Sequence, residues 1–475
     1  MNKIKKMDRR RFIGTISATS AGMAISGLTP AFSKEAASND LSTEFQSEEN
    51  EAIQISTFDI DATPPVGSYL TYEPMIGSYD LGLRAKGIVL KGAGMPVVLC
   101  AIDWIGVNNE SQDVFKQVLA ASAHTLPERV IVHCLHQHDA PICDFSVEKA
   151  LREVDVEPKL YDGTHQRAFL LRLSKAVENS LEKQQPVTHL GTGKALVSEV
   201  ASNRRVLNEE GIVVATRFTT CTDPELRAKP EGLIDPELTL LSFWNEDKPL
   251  AVLTFYATHP QSYYRQGIAC PDFPGIARFY RQLSVPDALH VHFNGAGGNI
   301  GAGKYNDGSH ENRLILAKRL AEGMEKAWKN VTKKRIKPAD LDWEALPVAL
   351  PPRYDDAEWE RRLNEAKEKP ALADNFSDPI WVMRQKAGFR LALSCLRIGK
   401  TRVLFMPGEL FVEYQLAAKN YRKDLDVSMA AYCDVSPGYI CTKEAFLQGG
   451  YEVDVSIVAP EAEDILMDAI HKLLK

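Results

Sequence analysis

Apolar runs of strand length alternate with longer amphipathic segments over most of this chain, and this alternation limits the folds it can adopt. Side chains along a strand point alternately to its two faces, so a strand alternates apolar and polar residues or, when buried on both faces, is continuously apolar. An amphipathic helix repeats its apolar residues with the period of the helix. The strand-like runs are Gly87–Leu90, Val97–Ile105, Arg129–Leu135, Leu238–Trp244, Leu250–Thr258, Leu289–Phe293, Leu391–Ile398 and Arg402–Met406. The helix-like segments are Ser111–Ala123, His165–Leu181, Gly275–Leu283, Glu311–Trp328, Ala357–Lys367, Val412–Tyr421 and Glu461–Leu474. This order predicts an α/β fold with a mixed β-sheet core flanked by helices.

Length and charge narrow the class of protein further. The 475 residues suffice for one large or two medium domains with a substantial core. The net charge of -7 argues against nucleic acid as the main partner. No internal repeat is visible in the sequence. The segment 330–379 is rich in Lys, Glu, Asp and Pro, which predicts a surface excursion with one charged helix, either as solvated padding or as a lid.

The first 33 residues are typical of a twin-arginine export signal, because Arg9 and Arg10 precede Phe12 and a weakly apolar stretch. A basic tail or a general secretory signal fits the same residues. We expect cleavage near Ser33, a flexible linker over 34–53, a folded domain over 54–475, and a periplasmic or secreted location. No other run has the roughly 18 apolar residues of a membrane helix, so we expect no transmembrane segment in the mature chain.

The eight cysteines contain no CxxC pair, and several lie inside apolar runs. Buried cysteine commonly behaves as a small apolar side chain, so this is the expected role of most of them. Disulfides remain open in an oxidising compartment, and the spacing assigns no pairing.

Four side chains that can bind a metal ion each follow a separate apolar run: His136, His259, Glu409 and Tyr439. In open α/β sheets, active sites form in the crevice beyond the strand ends. The pattern therefore predicts one metal site assembled from distant segments, and a hydrolytic chemistry. A single histidine at a strand end also fits a hydrogen-bonded core residue, so the pattern leaves that alternative open for His259.

Three further features lie near these positions in the sequence. In an extended backbone His136 and His138 point to the same face, so one can bind metal while the other moves a proton, unless the pair is structural. Arg204, in Asn203-Arg204-Arg205, offers a cationic donor or part of a surface basic pair. The glycine-rich run 294–303 lacks the Lys-Ser/Thr of a phosphate loop, so it indicates a wall where backbone segments approach closely.

Seven ordered blocks between about Ala62 and Lys475 resemble the catalytic domain of the neutral/alkaline non-lysosomal ceramidase family. The blocks are Leu83–Lys86, Ala101–Asp103, Leu135–Pro141, Ser202–Arg204, Ala257–Pro260, Pro407–Leu410 and Val435–Tyr439. The resemblance implies a neutral ceramidase catalytic-domain-like fold. The resemblance is to the catalytic domain, without the C-terminal immunoglobulin-like domain of true ceramidases, and Asn299 and Gly301 stand where the family has Asp and Ser.

The resemblance also implies a site. One zinc ion per chain is expected on His136, His259, Glu409 and Tyr439, and imidazole and carboxylate ligands suit that ion. Catalytic roles are implied for His138, Arg204 and Tyr439, whereas Asn299 and Gly301 are expected to contact substrate.

We therefore expect an exported zinc hydrolase that cleaves the amide bond of a small-molecule or lipid N-acyl compound. Two alternatives stay open: a zinc hydrolase acting on a carbohydrate derivative, and a non-catalytic metal-containing binding protein.

Overall fold

Three sheets, each built from one consecutive stretch of chain, form the core of the fold. The computed structural model describes residues 52–92, 94–369 and 376–475. The first contains β1 (Gln54–Asp61), β2 (Arg84–Lys91), β3 (Val97–Ile102), β4 (Val130–Cys134) and β5 (Gln185–Pro186), in the order β4-β3-β2-β1-β5. The second contains β6 (His189–Leu196), β7 (Glu237–Asn245), β8 (Lys248–Tyr256), β9 (Leu289–Asn294) and β10 (Thr332–Arg335), in the order β9-β8-β7-β6-β10. The third contains β11 (Leu341–Val348), β12 (Leu391–Ile398), β13 (Thr401–Phe405) and β14 (Asp426–Ala430), in chain order.

Helices connect these strands. They are α1 (Glu110–Ser122), α2 (Phe145–Glu153), α3 (Thr164–Leu181), α4 (Pro224–Ala228), α5 (Asp272–Ser284), α6 (Glu311–Lys329), α7 (Asp356–Glu368), α8 (Ser377–Lys386), α9 (Val412–Tyr421), α10 (Lys443–Gln448), α11 (Tyr451–Val455) and α12 (Ala462–Leu473). Among the described residues, none of these helices combines the length and apolar character needed to cross a bilayer.

Each sheet uses the same connection at one edge. Within these three sheets, neighbouring strands are antiparallel except β3/β4, β8/β9 and β13/β14, which are parallel. A parallel pair needs a crossover, and α1, α5 and α9 lie in the three crossovers. The connectivity thus repeats although the sequence shows no repeat. In each case the chain leaves the carboxyl end of a strand at this edge, where an α/β protein places its site.

The sheets share one apolar cluster, to which each contributes inward side chains such as Ile131, Leu253, Phe293 and Phe405. Each of these side chains is almost fully buried, and full burial of one contributes about 1.5–3 kcal/mol. The structure therefore confirms the predicted α/β class with a mixed-sheet core and flanking helices. It also confirms the buried cysteines, since all eight are buried and free.

The prediction for 330–379 is corrected in part. The charged helix exists as α7, but β10 and β11 are edge strands of two different sheets, and Trp343 is buried in the shared cluster. The charged side chains on β10 are exposed. Charged residues on an edge strand prevent further strand pairing. The composition of the segment is therefore similar to that of a surface loop. Predictions for residues 1–33 and for the linker up to residue 51 lie outside the described residues.

Candidate metal centre

Three of the four predicted ligands come together from three different sheets. His136 follows β4, His259 follows β8 and Glu409 follows β13, and their ligand atoms all lie within 4.8 Å of one another. All three residues are buried. Residues that are far apart in the sequence therefore lie close together, because the carboxyl ends of β4, β8 and β13 meet at one place in the fold.

Both imidazoles are oriented by backbone carbonyl groups. His136 Nδ1 lies 2.8 Å from the Ile105 carbonyl oxygen, and His259 Nδ1 lies 2.7 Å from that of Gly297 and 2.9 Å from that of Ile300. A carbonyl only accepts, so each Nδ1 carries the proton and donates it. Each Nε2 of the neutral ring is then a free lone pair. Metal-ligating histidines in proteins are held in this way.

The free lone pairs converge on one carboxylate oxygen. Glu409 Oε2 lies 2.9 Å from His259 Nε2 and 3.5 Å from His136 Nε2. Burial lowers the pKa of His259, which favours the neutral ring. Burial opposes ionisation of Glu409, but the adjacent His136 and His259 outweigh it and hold its pKa well below the ordinary range. Acceptors this close and this buried require a proton or a cation between them, so the donor set fits a metal ion such as Zn²⁺.

Tyr439, the fourth predicted ligand, lies beside this group. A two-residue parallel bridge pairs Glu409 with Tyr439, and the ring centroids of Tyr439 and His259 are 6.3 Å apart. Tyr439 Oη accepts a hydrogen bond from Arg204 Nη1 at 3.2 Å. Burial raises the pKa of Tyr439 well above its ordinary value, so the side chain is a neutral phenol here.

Arg204 is buried against the same group. Its Nη1 lies 3.3 Å from His259 Nε2, and its Nε lies 3.3 Å from Glu452 Oε1. The carboxylate of Glu452 also pairs with Arg205 at 3.3 Å. Arg204 is therefore a fixed positive charge at the centre, and not part of the surface basic pair that the sequence also allowed.

His138 presents an unoccupied nitrogen. Its Nδ1 is 2.8 Å from the Tyr72 hydroxyl, whereas its buried Nε2 has no hydrogen-bond partner among the described residues. Its ring centroid is 5.1 Å from that of His136 and 6.4 Å from that of His259. Burial and the neighbouring His136 and His259 imidazoles lower its pKa well below the ordinary value. A neutral imidazole with one free nitrogen can accept a proton.

The glycine-rich run forms the predicted close wall. A Cβ on Gly298 would lie 2.1 Å from the Glu409 carbonyl oxygen, and one on Gly297 would lie 2.8 Å from Thr258 backbone. Gly298 N–H also donates to the Leu410 carbonyl at 2.8 Å. Only glycine permits this approach, which fixes the segment carrying Glu409.

Asn299 and Gly301 were expected to contact substrate, and in the structure each of them contacts other parts of the protein. Asn299 Oδ1 accepts from the Val412 N–H at 3.0 Å, and its Nδ2 donates to Glu413 at 2.9 Å, so its amide anchors α9. The structure does not bring that amide into the ligand group. Gly301 lies against Arg204, where an added Cβ would meet the arginine side chain at an ordinary 3.4 Å.

Sequence reasoning missed Tyr432. Its ring centroid is 5.0 Å from that of His136, the residue is fully buried, and its hydroxyl has no partner among the described residues. Burial raises its pKa well above the ordinary value, with Glu409 contributing. One signal was available: Tyr432 follows a strand-like run, as the predicted ligands do.

Aromatic side chains border the centre. The Tyr72 and Tyr264 ring centroids are 5.2 Å apart, and the Phe218 and Tyr451 centroids are also 5.2 Å apart. Tyr72, Tyr451 and Phe218 are 38%, 40% and 46% exposed. The Tyr72 ring centroid is 5.7 Å from that of His138, and the Tyr451 centroid is 5.9 Å from that of Tyr439, so both pairs lie beside the centre.

No protein-family model and no curated protein matches this sequence. Solved structures do match. A neutral ceramidase from Pseudomonas aeruginosa is 14% identical with a TM-score of 0.62, and the match covers 90% of this chain and 74% of that chain. A ceramidase complexed with C2 is 14% identical with a TM-score of 0.63, over 90% of this chain and 75% of that one. The chain therefore has a neutral ceramidase-like fold.

Proposed function

We propose that this protein is a zinc-dependent hydrolase that cleaves the amide bond of N-acyl compounds. The observation that carries the proposal is the convergence of His136, His259 and Glu409, with each imidazole already oriented by a carbonyl acceptor. One zinc ion would be held by these three residues, with Tyr439 as the fourth ligand. The neutral ceramidase fold of the solved structures supports an amide substrate.

The surrounding residues supply the other functions of an amide hydrolase. When bound, zinc activates water for attack and polarises the scissile carbonyl. In the tautomer whose Nδ1–H donates to the Tyr72 hydroxyl, His138 can accept a proton at its unpartnered Nε2 and return it to the departing amine. Arg204 and the Tyr439 hydroxyl lie where they can stabilise negative charge that develops on the carbonyl oxygen. Glu452 holds Arg204 in place through its Nε.

An apolar rim favours an acyl chain in the substrate. Phe218 and Tyr451 are in contact, and the Arg204 guanidinium lies 5.3 Å and 5.6 Å from their ring centroids. Val455, 45% exposed, is four residues beyond Tyr451 on α11 and so lies on the same face. Exposed apolar groups at a site's edge commonly mark a binding surface.

A carbohydrate derivative is the second candidate substrate. A cavity of about 390 Å³ is lined by Tyr79, Tyr263 and His310 together with Asp80 and Gln266. Its Tyr263 precedes Tyr264, whose ring centroid is 5.1 Å from that of His138. Aromatic faces combined with a carboxylate and an amide suit the apolar faces and hydroxyl groups of a sugar.

The proposal assigns this activity to residues 54–475. It further proposes that residues 1–33 direct twin-arginine export and that 34–53 form a linker, which would place the mature protein in the periplasm or outside the cell. Export of folded protein would allow zinc to be loaded beforehand.

Release of carboxylic acid and free amine from a substrate panel tests the proposal. The panel contains an N-acyl-sphingosine, an N-acyl amino acid and an N-acetylated hexosamine oligosaccharide, each assayed with zinc-loaded wild type and Glu409→Gln. We expect zinc-dependent release from at least one, abolished in the variant, with the best substrate identifying the class. Binding of a panel member without release would instead indicate a metal-containing binding protein.

A further inference from the structure

Tyr432 carries two unfavourable features at one position. Its φ of 59° lies in the left-handed region, which bulky side chains rarely adopt. Its hydroxyl is buried without a hydrogen-bond partner among the described residues, and an unpaired buried polar group is unfavourable because its desolvation is not compensated. Phenylalanine would fill the same space without the second cost, so packing alone does not account for tyrosine here.

The backbone of Tyr432 links two of the segments that carry candidate ligands. Its N–H donates to the Gly408 carbonyl at 3.1 Å, directly before Glu409. Its carbonyl accepts from the Cys134 N–H at 3.2 Å, at the end of β4 and two residues before His136. The strained conformation is therefore held from both sides, as strain at functional sites is.

The ring lies among the ligands. Its centroid is 5.0 Å from that of His136, with the planes 30° apart, and 6.3 Å from that of His259, with the planes nearly perpendicular at 86°. The two imidazole centroids are 5.5 Å apart, so the Tyr432 ring lies beside both of them. The charges of Glu409 and Arg204 both act on the pKa of its hydroxyl, after burial, which indicates that the hydroxyl lies in the same buried region. A neutral phenol there can donate one hydrogen bond.

We propose that Tyr432 is an additional catalytic residue whose hydroxyl donates a hydrogen bond to the oxygen of the reacting acyl group held at the His136–His259–Glu409 centre. The inference rests on the proposed hydrolase function and adds a residue to it. Tyr439 and Arg204 then act on one side of the centre, and Tyr432 acts from the β4 side, next to His136. The partner of the buried hydroxyl is the substrate itself.

Tyr432→Phe tests this inference because it removes one oxygen atom and keeps the ring. The matched control is Tyr256→Phe. Tyr256 is also fully buried, and its hydroxyl has no hydrogen-bond partner in the part of the chain that the structure describes, but it lies in the core at the end of β8, packed against the helices. Two readouts are taken on each full-length protein by calorimetry: zinc affinity, and the affinity of the zinc-loaded protein for acetohydroxamate. Steady-state kinetics on the best substrate then separates kcat from KM.

We expect Tyr432→Phe to bind zinc like wild type, to bind acetohydroxamate at least about fivefold more weakly, and to lose kcat with KM little changed. Tyr256→Phe should match wild type in all of these. If Tyr432→Phe binds acetohydroxamate as tightly as wild type, the inference is wrong while the hydrolase proposal stands. A wild-type protein that binds neither zinc nor acetohydroxamate would overturn both.

Discussion

Glu409 and Tyr439 are Cα partners in a two-residue parallel bridge, and the Glu409 N–H donates to the Gly438 carbonyl at 2.8 Å. This pairing fixes the side chain of a candidate metal ligand next to a phenol that accepts from Arg204. The bridge therefore holds the Glu409 carboxylate and the Tyr439 hydroxyl in a fixed position relative to each other. Their roles can be separated, because removing the Tyr439 hydroxyl leaves the two imidazoles and the carboxylate in place.

Tyr439→Phe should retain most of its zinc, because His136, His259 and Glu409 remain. It should lower turnover by roughly 100-fold, the scale expected for loss of one group that stabilises a developing oxyanion. Zinc content by elemental analysis and kcat on the best substrate check both parts. Unchanged turnover would remove Tyr439 from the mechanism.

Gly298→Ala should destabilise the fold and weaken zinc binding. The new Cβ would lie 2.1 Å from the Glu409 carbonyl oxygen, so the segment bearing Glu409 must move. Overpacking of this kind costs about 1–3 kcal/mol.

Gly301→Ala is the matched control for Gly298→Ala, because its Cβ would meet Arg204 at an ordinary 3.4 Å. Urea unfolding and zinc titration of both variants check the prediction. Equal effects of the two substitutions would mean that the contact at Gly298 does not position Glu409.

Arg278→Ala should lower the free energy of unfolding by about 3–5 kcal/mol, because it leaves the buried Asp103 carboxylate without its partner. Arg278 on α5 donates two hydrogen bonds to Asp103, at 2.9 Å and 2.7 Å, just beyond β3. Lys329→Ala is the control, since its pair with Glu325 is exposed and contributes no more than about 1 kcal/mol. Similar urea midpoints for the two variants would contradict the account.

Asp139 should make stability depend on pH. Burial raises its pKa to about 6, although it accepts from the N–H of Arg265 at 2.9 Å. The folded pKa lies above the unfolded value of about 3.9, so the folded chain keeps this proton after the unfolded chain has lost it. The stabilisation is complete below about pH 4 and is lost as pH rises through 6.

Asp139→Asn removes this titration. Relative to wild type, the variant should therefore gain about 1–3 kcal/mol of stability between pH 4.5 and pH 7.5. Urea unfolding at both pH values measures the difference. A constant offset between the two proteins would show that the carboxyl does not titrate differently in the folded state.

The sequence predicted eight of the strands and the long helices, whose apolar periodicity is strong. Because β10 is an exposed, charged edge strand, it has the composition of a loop and was not predicted. The sequence also did not predict β1, β5, β6, β11 or β14. It did not reveal α2 either, whose N-terminus depends on Asp144 accepting from the N–H groups of Ser146 and Val147.

At the site, residue type and position after a strand singled out His136 and Glu409 as candidates, whereas His259 stayed open as a core residue until the family resemblance was added. Residue type and position were not enough to predict contacts between distant parts of the fold. Whether Asn299 faces substrate depends on the distant N-terminus of α9, which takes both ends of its amide. Tyr432 was not predicted because a tyrosine after an apolar run is common in sequences. Its strained backbone, and a hydroxyl without a partner among the described residues, are visible only in the structure.

The most direct test of the central claim is calorimetric zinc titration of the metal-stripped protein, with His259→Ala as the comparison and His124→Ala, an exposed histidine, as the control. We expect about one zinc ion per chain for wild type and for His124→Ala. His259→Ala should lose affinity by more than the 10–100-fold that loss of an outer-shell partner costs. A wild-type protein that binds no zinc, or a His259→Ala protein that binds it equally tightly, would contradict the account.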